Sequence, residues 1–317
     1  MNTKWVEIRS ELSAGTRGAS MGPDAMRIAA YKVSKEFFEL HPTQRLRDFN
    51  EWLYKPIVHE WAKRIEGVSK VYDAIIPELR SIVTRDDRFL VILAAAHGTA
   101  GASIKAIKSA YPEKRLGVVW IDAHGDLHSP YTTPSGNMHG MPLAIAMQKD
   151  NYEHRRRDLP PETVDRWEKL KRIGYDAPAI DPRDLLLVAA RDLEVQERYL
   201  VDELGIRNFP VRRFREEGSH VIAREALEAL QDCDHIYVTF DVDSLDTSIS
   251  VGTGTPVPGG LIASEAKGLL RELVRNPRVQ YLEVVEINPT LDDKGNVMAE
   301  VSFEILRDVV DVIESER

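Results

Sequence analysis

The hydrophobic positions of the chain gather into short uninterrupted runs and do not alternate with polar positions. The clearest runs are rich in Val, Ile, Leu and aromatic residues, and they are Phe89–Ala96, Leu116–Ile121, Leu185–Ala190, Ile236–Phe240 and Tyr281–Ile287. Continuous apolar runs of this length are typical of strands that are buried on both faces of a parallel sheet. The pattern therefore predicts a parallel sheet in the core.

Segments with the spacing of amphipathic helices lie between and after these runs. They are Ser103–Ala110, Val195–Leu204, Ala223–Leu230, Glu265–Val274 and Ala299–Ile313. Alternation of strand and helix favours right-handed βαβ units, and hence a three-layer α/β/α sandwich. Two packed antiparallel domains are the alternative, but they would need hairpin turns that we do not find in the sequence.

The stretch from about 149 to 182 differs in composition from its surroundings. It carries the basic run His154-Arg155-Arg156-Arg157, the pair Pro160-Pro161 and a charged amphipathic segment at Trp167–Arg172. We interpret the stretch as a solvated surface insertion, and a lid or a contact for a partner subunit is the alternative. No internal repeat and no long linker divides the chain, so we expect residues 1–317 to form a single domain.

Composition and charge narrow the possible functions. The chain has 317 residues with 42 basic and 51 acidic side chains, which gives a net charge of −9 at pH 7. This balance argues against nucleic-acid and membrane partners, because phosphate binding needs clustered cations. The single cysteine, Cys233, excludes an internal disulfide and a thiolate zinc cage. The charged start of the chain is no secretory signal, and the run Phe89–Ala96 is too short to span a bilayer, so we expect a soluble cytoplasmic protein.

Acidic and imidazole side chains follow three of the predicted strands. They are His97 after the first run, Asp122, His124 and Asp126 after the second, and Asp241 and Asp243 after the fourth. The carboxyl ends of parallel strands form the ligand crevice of open α/β sheets, so these groups should converge. Within an extended segment, residues two apart point the same way, which lets Asp122, His124 and Asp126 face one point.

Four converging carboxylates predict a metal site, because without compensation they would repel and could not all stay ionised. Two divalent cations balance the charge, and oxygen ligands with two imidazoles suit manganese best. Ions about 3.5 Å apart would share a water and bring its pKa close to neutrality. Taken alone, the first aspartate motif is also compatible with turn and helix-cap chemistry. An EF-hand starting at Asp241 is excluded, because its sixth position is Asp246 and its twelfth is Gly252.

Five segments of the chain match the signature motifs of a known family, and they are Asp122-Ala-His-Gly-Asp126, Ser135-Gly-Asn-Met-His-Gly-Met-Pro142, Thr239-Phe-Asp-Val-Asp-Ser-Leu-Asp246, Gly252-Thr-Gly-Thr-Pro256 and Glu286-Ile-Asn-Pro289. In these motifs the chain resembles the ureohydrolases, the family of arginase, agmatinase and formiminoglutamase, and among them it is most similar to bacterial arginases. The similarity runs from the loop at Gly15 to the final helix. It implies an arginase-like sandwich around an eight-stranded, mainly parallel sheet.

The resemblance implies a role for each matching residue. Two manganese ions per subunit, with cobalt as a possible substitute, would be bridged by Asp122 and Asp241. His97 and Asp126 would complete the coordination of one ion, and His124 and Asp243 that of the other. His139 is similar to the histidine that shuttles a proton to the leaving amine, and Glu286 to the carboxylate that binds the guanidinium group.

The residues expected to bind the amino-acid end of the substrate favour arginase over the other members of the family. Ser135 and Asn137 resemble the arginase segment that holds the α-carboxylate, whereas agmatinases usually differ there. His128 stands where arginases commonly have asparagine, and Glu194 stands where an aspartate often meets the α-ammonium. Thr255 lies in the adjoining substrate loop. Glu194 has a structural alternative, which is to cap the helix that begins near Val195.

The resemblance therefore implies hydrolysis of L-arginine to L-ornithine and urea, by attack of a hydroxide that bridges the ions. An agmatinase or another guanidino-acid amidinohydrolase is the alternative enzyme, and an amino-acid sensor on the same scaffold is the alternative without catalysis. We find no serine-hydrolase elbow and no phosphate-binding loop. The expected partner is a small guanidino compound, and family resemblance suggests a homo-oligomer, a trimer or a hexamer.

Overall fold

The computed structural model describes residues 1–317 and contains one eight-stranded sheet in which every pairing is parallel. The strands are β1 (Thr3–Ile8), β2 (Thr43–Arg45), β3 (Phe89–Ala94), β4 (Leu116–Ile121), β5 (Leu185–Val188), β6 (Arg207–Phe209), β7 (His235–Asp241) and β8 (Val279–Val285). Helices cover both faces of the sheet, which confirms the predicted α/β/α sandwich.

The helices fall between the strands and after the last one. They are α1 (Gly22–Val33), α2 (Phe37–Leu40), α3 (Ile65–Arg85), α4 (Ala100–Ala110), α5 (Pro142–Met147), α6 (Pro161–Arg172), α7 (Val195–Leu204), α8 (Val211–Glu217), α9 (Ser219–Ala229), α10 (Ala263–Arg275) and α11 (Val297–Glu316). Every one of them is too short or too polar to cross a lipid bilayer.

The strands follow the order β2-β1-β3-β8-β7-β4-β5-β6 across the sheet, so β3, β8, β7 and β4 are its centre. Along β3 all six residues are buried, and successive side chains enter different cores. Val91 joins the hydrophobic cluster on one face, and Leu90 and Ile92 join the cluster on the other. This burial on both faces explains why the central strands are recognisable as continuous apolar runs.

Three strands do not stand out in the hydrophobic pattern. β1 contains Glu7, which is buried beneath the guanidinium groups of Arg9 and Arg27. β2 and β6 are edge strands of three residues each, and polar side chains dominate both. Edge strands need no apolar run because one side remains open to solvent.

The stretch from 149 to 182 contains α6, and this helix is attached firmly to the sandwich. Trp167 and Leu170 are fully buried and belong to the hydrophobic cluster under α3 and α5. Lys105 of α4 is also buried, and its ammonium donates to the backbone oxygens of Lys171 (2.7 Å) and Tyr175 (2.6 Å). The stretch thus combines an anchored helix with exposed charged residues.

The four central strands deliver polar side chains to one edge of the sheet. Asp122 directly follows β4, Asp241 ends β7, Glu286 directly follows β8, and His97 lies three residues after β3. Because these strands are neighbours in the sheet, residues far apart in the chain meet at one place. This edge carries the candidate site.

Candidate metal centre and active site

The first group of potential metal ligands surrounds the imidazole of His97. Its Nδ1 lies 2.9 Å from Asp122 Oδ2, 3.2 Å from Asp241 Oδ2 and 3.2 Å from Asp126 Oδ2. All four side chains are buried. His97, Asp122 and Asp241 are close enough to share one ion, with Asp126 beside them.

The second group surrounds His124. Its Nδ1 lies 3.0 Å from Asp243 Oδ2 and 3.4 Å from Asp122 Oδ1, and these three side chains could also hold one ion. Asp122 therefore belongs to both groups and offers a different oxygen to each. Asp241 lies in the first group only, where its second oxygen accepts the Asp243 N–H at 2.8 Å.

The chemistry of these residues fits divalent cations. His97 Nδ1 is buried and has no hydrogen-bond partner, although three carboxylates face it. The other ring nitrogen, Nε2, lies 2.8 Å from Thr239 Oγ1, which leaves Nδ1 free to act as a ligand. Four carboxylates, two imidazoles and no thiolate form a donor set for a hard or borderline ion.

The charges of the carboxylates give a second reason to place cations here. Burial, and then repulsion from Asp243 and Asp122, raises the pKa of Asp241 well above its usual range. Burial and the charge of Asp122 raise the pKa of Asp126 to about 7. Bound cations would relieve both effects, because they stabilise the ionised carboxylates.

Trp120, in β4, contacts two of the potential ligands, and the sequence pattern did not single it out. Its indole N–H donates to Asp122 Oδ2 at 3.0 Å, and its ring stacks on His97 with the centroids 4.0 Å apart. Trp120 precedes Asp122 by two residues, so the alternation of the strand places both side chains on the same side, but a tryptophan in a buried apolar run is expected to be core and not to donate to a ligand.

Glu286 and His139 lie next to the first group. Glu286 Oε1 accepts the His97 N–H at 2.8 Å, and the residue takes a left-handed backbone conformation with φ 66°. Burial raises the pKa of Glu286 to about 8. His139 Nδ1 is 3.8 Å from Glu286 Oε1, and the His139 N–H donates to Ser13 O at 3.0 Å. The structure thus brings together the two residues expected to act on the guanidinium group.

The expected contacts for the amino-acid end lie on neighbouring loops. Ser135 is exposed, and its Oγ accepts the Asn137 N–H at 3.2 Å. A Cβ at Gly15 would come within 2.6 Å of Asn137 Nδ2, so any larger residue at Gly15 would displace the Asn137 side chain. Thr255 is also exposed, and its hydroxyl donates to Asp243 Oδ2 at 3.1 Å. Thr255 therefore contacts a candidate ligand as well as bordering the site.

His128 and Glu194 are linked by Glu197, which sequence reasoning missed. The buried Glu197 carboxylate accepts the N–H groups of Glu194 (3.0 Å) and Leu127 (3.1 Å), and it lies 3.5 Å from His128 Nε2. Burial raises the pKa of Glu197 to about 7 and lowers that of His128 to about 4. An acidic residue in the first turn of a helix is an ordinary capping signal, so only the fold reveals this contact.

Comparison with known proteins agrees with this geometry. The profile described as "Arginase family" matches residues 8–311. The arginase of Brevibacillus brevis is 30% identical over 309 residues, which cover 97% of this chain and 97% of that protein. The arginase of Bacillus subtilis (strain 168) is 30% identical over 294 residues, covering 90% of each protein. The crystal structure of arginase from Bacillus cereus has a TM-score of 0.80 at 25% identity and covers 97% of both chains. The chain belongs to the arginase family of hydrolases.

Proposed function

We propose that the protein hydrolyses L-arginine to L-ornithine and urea with two bound manganese ions. The observation that carries the proposal is the position of Asp122, which serves both ligand groups while Glu286 and His139 border the first. The proposed ligands are His97, Asp122, Asp126, His124, Asp241 and Asp243. Divalent cations bound there would supply Lewis acidity, which lowers the pKa of water towards neutrality.

Glu286 is the proposed anchor for the guanidinium group. Its Oε1 is already engaged by the His97 N–H, so Oε2 is left to accept an N–H of the substrate. The positive guanidinium would also favour the ionised carboxylate, which opposes the effect of burial on the Glu286 pKa. Held in this way, the guanidinium carbon would face the metal groups.

His139 is the proposed general acid. Cleavage of the carbon–nitrogen bond expels an amine, and an amine leaves readily only when it accepts a proton. The His139 ring is partly exposed and lies beside Glu286, so it can reach both water and the leaving nitrogen. Its backbone is held by Ser13 while its side chain remains free of hydrogen bonds to other residues.

Arginine is the proposed substrate because the site mouth offers groups for an α-amino acid. Ser135, Asn137 and His128 carry donors for a carboxylate, and Glu194 carries a charge for an ammonium. Thr255 borders the same space. The similarity to proteins named arginase at 30% identity over nearly the whole chain supports the same choice.

A urea-release assay tests the proposal directly. Manganese-loaded protein should release urea from arginine faster than from agmatine or 4-guanidinobutyrate. Exhaustive chelation should abolish activity. Added manganese should restore it fully, and added cobalt should restore it in part. Faster hydrolysis of agmatine would contradict the arginase assignment, and full activity after chelation would contradict the metal requirement.

We also propose that residues 1–317 form one domain, with 149–182 as a surface insertion. The protein is further proposed to be a cytoplasmic homo-oligomer whose partners are small molecules. The acidic net charge supports the absence of nucleic-acid and membrane partners. The oligomeric state rests on family resemblance. Light scattering on the purified protein would show a trimer or hexamer, and a monomer would contradict this expectation.

A further inference from the structure

Arg156, in the stretch from 149 to 182, lies beside the residue proposed to bind the substrate ammonium. Its guanidinium Nη2 is 3.5 Å from Glu194 Oε2. The backbone of Arg156 is fixed, because its N–H donates to Tyr131 O at 2.9 Å. Both side chains of the pair remain partly open to solvent. An ion pair thus spans from the insertion to the start of α7.

The two neighbouring arginines have different partners. Arg155 pairs with Asp158 at 3.0 Å on the surface. Arg157 donates to Thr133 O at 2.6 Å and stacks over Trp61 with 3.6 Å from its guanidinium carbon to the ring centroid. Arg157 therefore ties the insertion to the loop that carries Ser135. Arg156, in contrast, makes no side-chain hydrogen bond, and Glu194 is its one charged partner.

These anchors place Arg156 at the mouth of the site. Tyr131 and Thr133, which hold the two arginines, belong to the segment between His128 and Ser135. The far side of the mouth is fixed as well, because the Glu194 N–H is held by Glu197, which also approaches His128. A cation and an anion therefore face each other where the amino-acid end of a substrate would arrive.

We propose that Arg156 binds the α-carboxylate of the substrate and selects α-amino acids over simple amines. The inference rests on the proposed function and assigns a role to the insertion. Without substrate, Arg156 and Glu194 compensate one another's charge. An α-amino acid brings its ammonium to Glu194 and its carboxylate to Arg156, so both charges gain new partners.

Agmatine differs from arginine only by the missing carboxylate, so the same exchange disfavours it. Its ammonium must draw Glu194 away from Arg156 and offers Arg156 nothing in return. Guanidinium groups suit this task because their planar donor fork matches a carboxylate with two parallel hydrogen bonds. Discrimination thus arises from an unfavourable exchange with the wrong substrate as well as from contacts with the right one.

Steady-state kinetics of Arg156→Gln on three compounds test the proposal. For arginine and for 5-guanidinopentanoate, which keep the carboxylate, kcat/KM should fall by about tenfold or more. For agmatine it should stay the same or rise, because Glu194 becomes free. Arg156→Lys should retain part of the selectivity. Arg155→Gln is the matched control, since it removes the same charge one residue away and should change nothing.

Binding of two product analogues keeps the test independent of turnover. Calorimetry on the manganese-loaded protein should show that Arg156→Gln lowers the affinity for L-ornithine by a similar factor. The affinity for putrescine, the decarboxylated analogue of ornithine, should stay unchanged. An equal loss for all ligands together with a lower Tm, or no change for ornithine, would overturn the role of Arg156. If the wild-type protein released no urea from arginine, the proposed function would fail, while the ornithine and putrescine titrations would still decide on Arg156.

Discussion

The indole ring of Trp120 lies face to face with the imidazole of His97, with the ring planes 10° apart. Trp120 is on β4, whereas His97 follows β3, and two strands separate β4 from β3 in the sheet. The indole N–H also donates to Asp122. One side chain therefore orients a histidine and a carboxylate that come from distant parts of the sheet.

Trp120→Phe should weaken metal binding while keeping the fold. Phenylalanine retains an aromatic ring against His97 but removes the donor to Asp122 Oδ2. Loss of such a supporting hydrogen bond should lower manganese affinity by about tenfold, measured by calorimetric titration. Trp167→Phe is the control, because Trp167 is equally buried and donates to Asp150 in the insertion. Similar losses in both variants would show that Trp120 acts only through packing.

Asp122→Asn should impair both metal groups at once, since each uses a different oxygen of this residue. We expect manganese content to drop and kcat/KM for arginine to fall by about a hundredfold or more. Asp184→Asn is the control, because Asp184 is also buried but pairs with Arg115 at the start of β5. Unchanged metal content in Asp122→Asn would contradict the shared-ligand arrangement.

His139→Asn should reduce catalysis without reducing metal content. Removing a general acid should lower kcat by about 10²–10⁴, with a much smaller effect on KM. Metal analysis and urea release on the same preparation measure the two effects separately. A loss of manganese together with the loss of activity would place His139 among the structural residues of the site.

Glu194→Ala should lower kcat/KM for arginine by about tenfold to a hundredfold, because one charge-assisted contact with the α-ammonium is lost. The turnover of 4-guanidinobutyrate, which has no ammonium and which we expect to be slow in the wild type, should hardly change. Kinetics on both compounds and a melting curve for each protein provide the comparison. Equal losses on both with a lower Tm would leave Glu194 as a helix cap only.

Lys105 should make stability depend on pH in the alkaline range. Burial lowers the pKa of this ammonium from 10.5 to about 8, so the unfolded chain binds more protons between these two values. The free energy of unfolding of the wild type, relative to Lys105→Met, should therefore rise as pH increases from 8 to 10.5, by up to about 3 kcal/mol. Denaturant unfolding of both proteins at several pH values measures this difference in the free energy of unfolding. A constant difference would contradict the low pKa.

The central strands and the cluster of potential ligands were predictable from sequence because both rest on local patterns. Continuous apolar runs predicted β3, β4 and β7. The acidic motifs at the ends of β4 and β7 predicted the cluster of potential ligands. β1 was not predicted because Glu7 interrupts its apolar run. Of the two arginines that compensate the charge of Glu7, Arg9 is close in sequence, but Arg27 is brought to it only by the tertiary structure.

The supporting contacts could not be predicted, because they join elements that are unrelated along the chain. Trp120 has the pattern of a core residue, and Glu197 has the pattern of a cap. Arg156 belongs to a basic run typical of a solvated surface, and only the anchored backbone of the insertion brings it to Glu194. Such pairings depend on how loops dock, which no local periodicity encodes.

The position of β7 between β4 and β8 has a consequence for how the protein matures. His97 and Thr239 are in contact although 142 residues separate them along the chain. During synthesis, His97 and Asp122 must therefore wait for β7 and the residues after it before they can meet Asp241 and Asp243. Parallel pairings between such distant segments form slowly. We expect metal uptake to be among the last events of folding, so a stalled or truncated chain would lack a complete site.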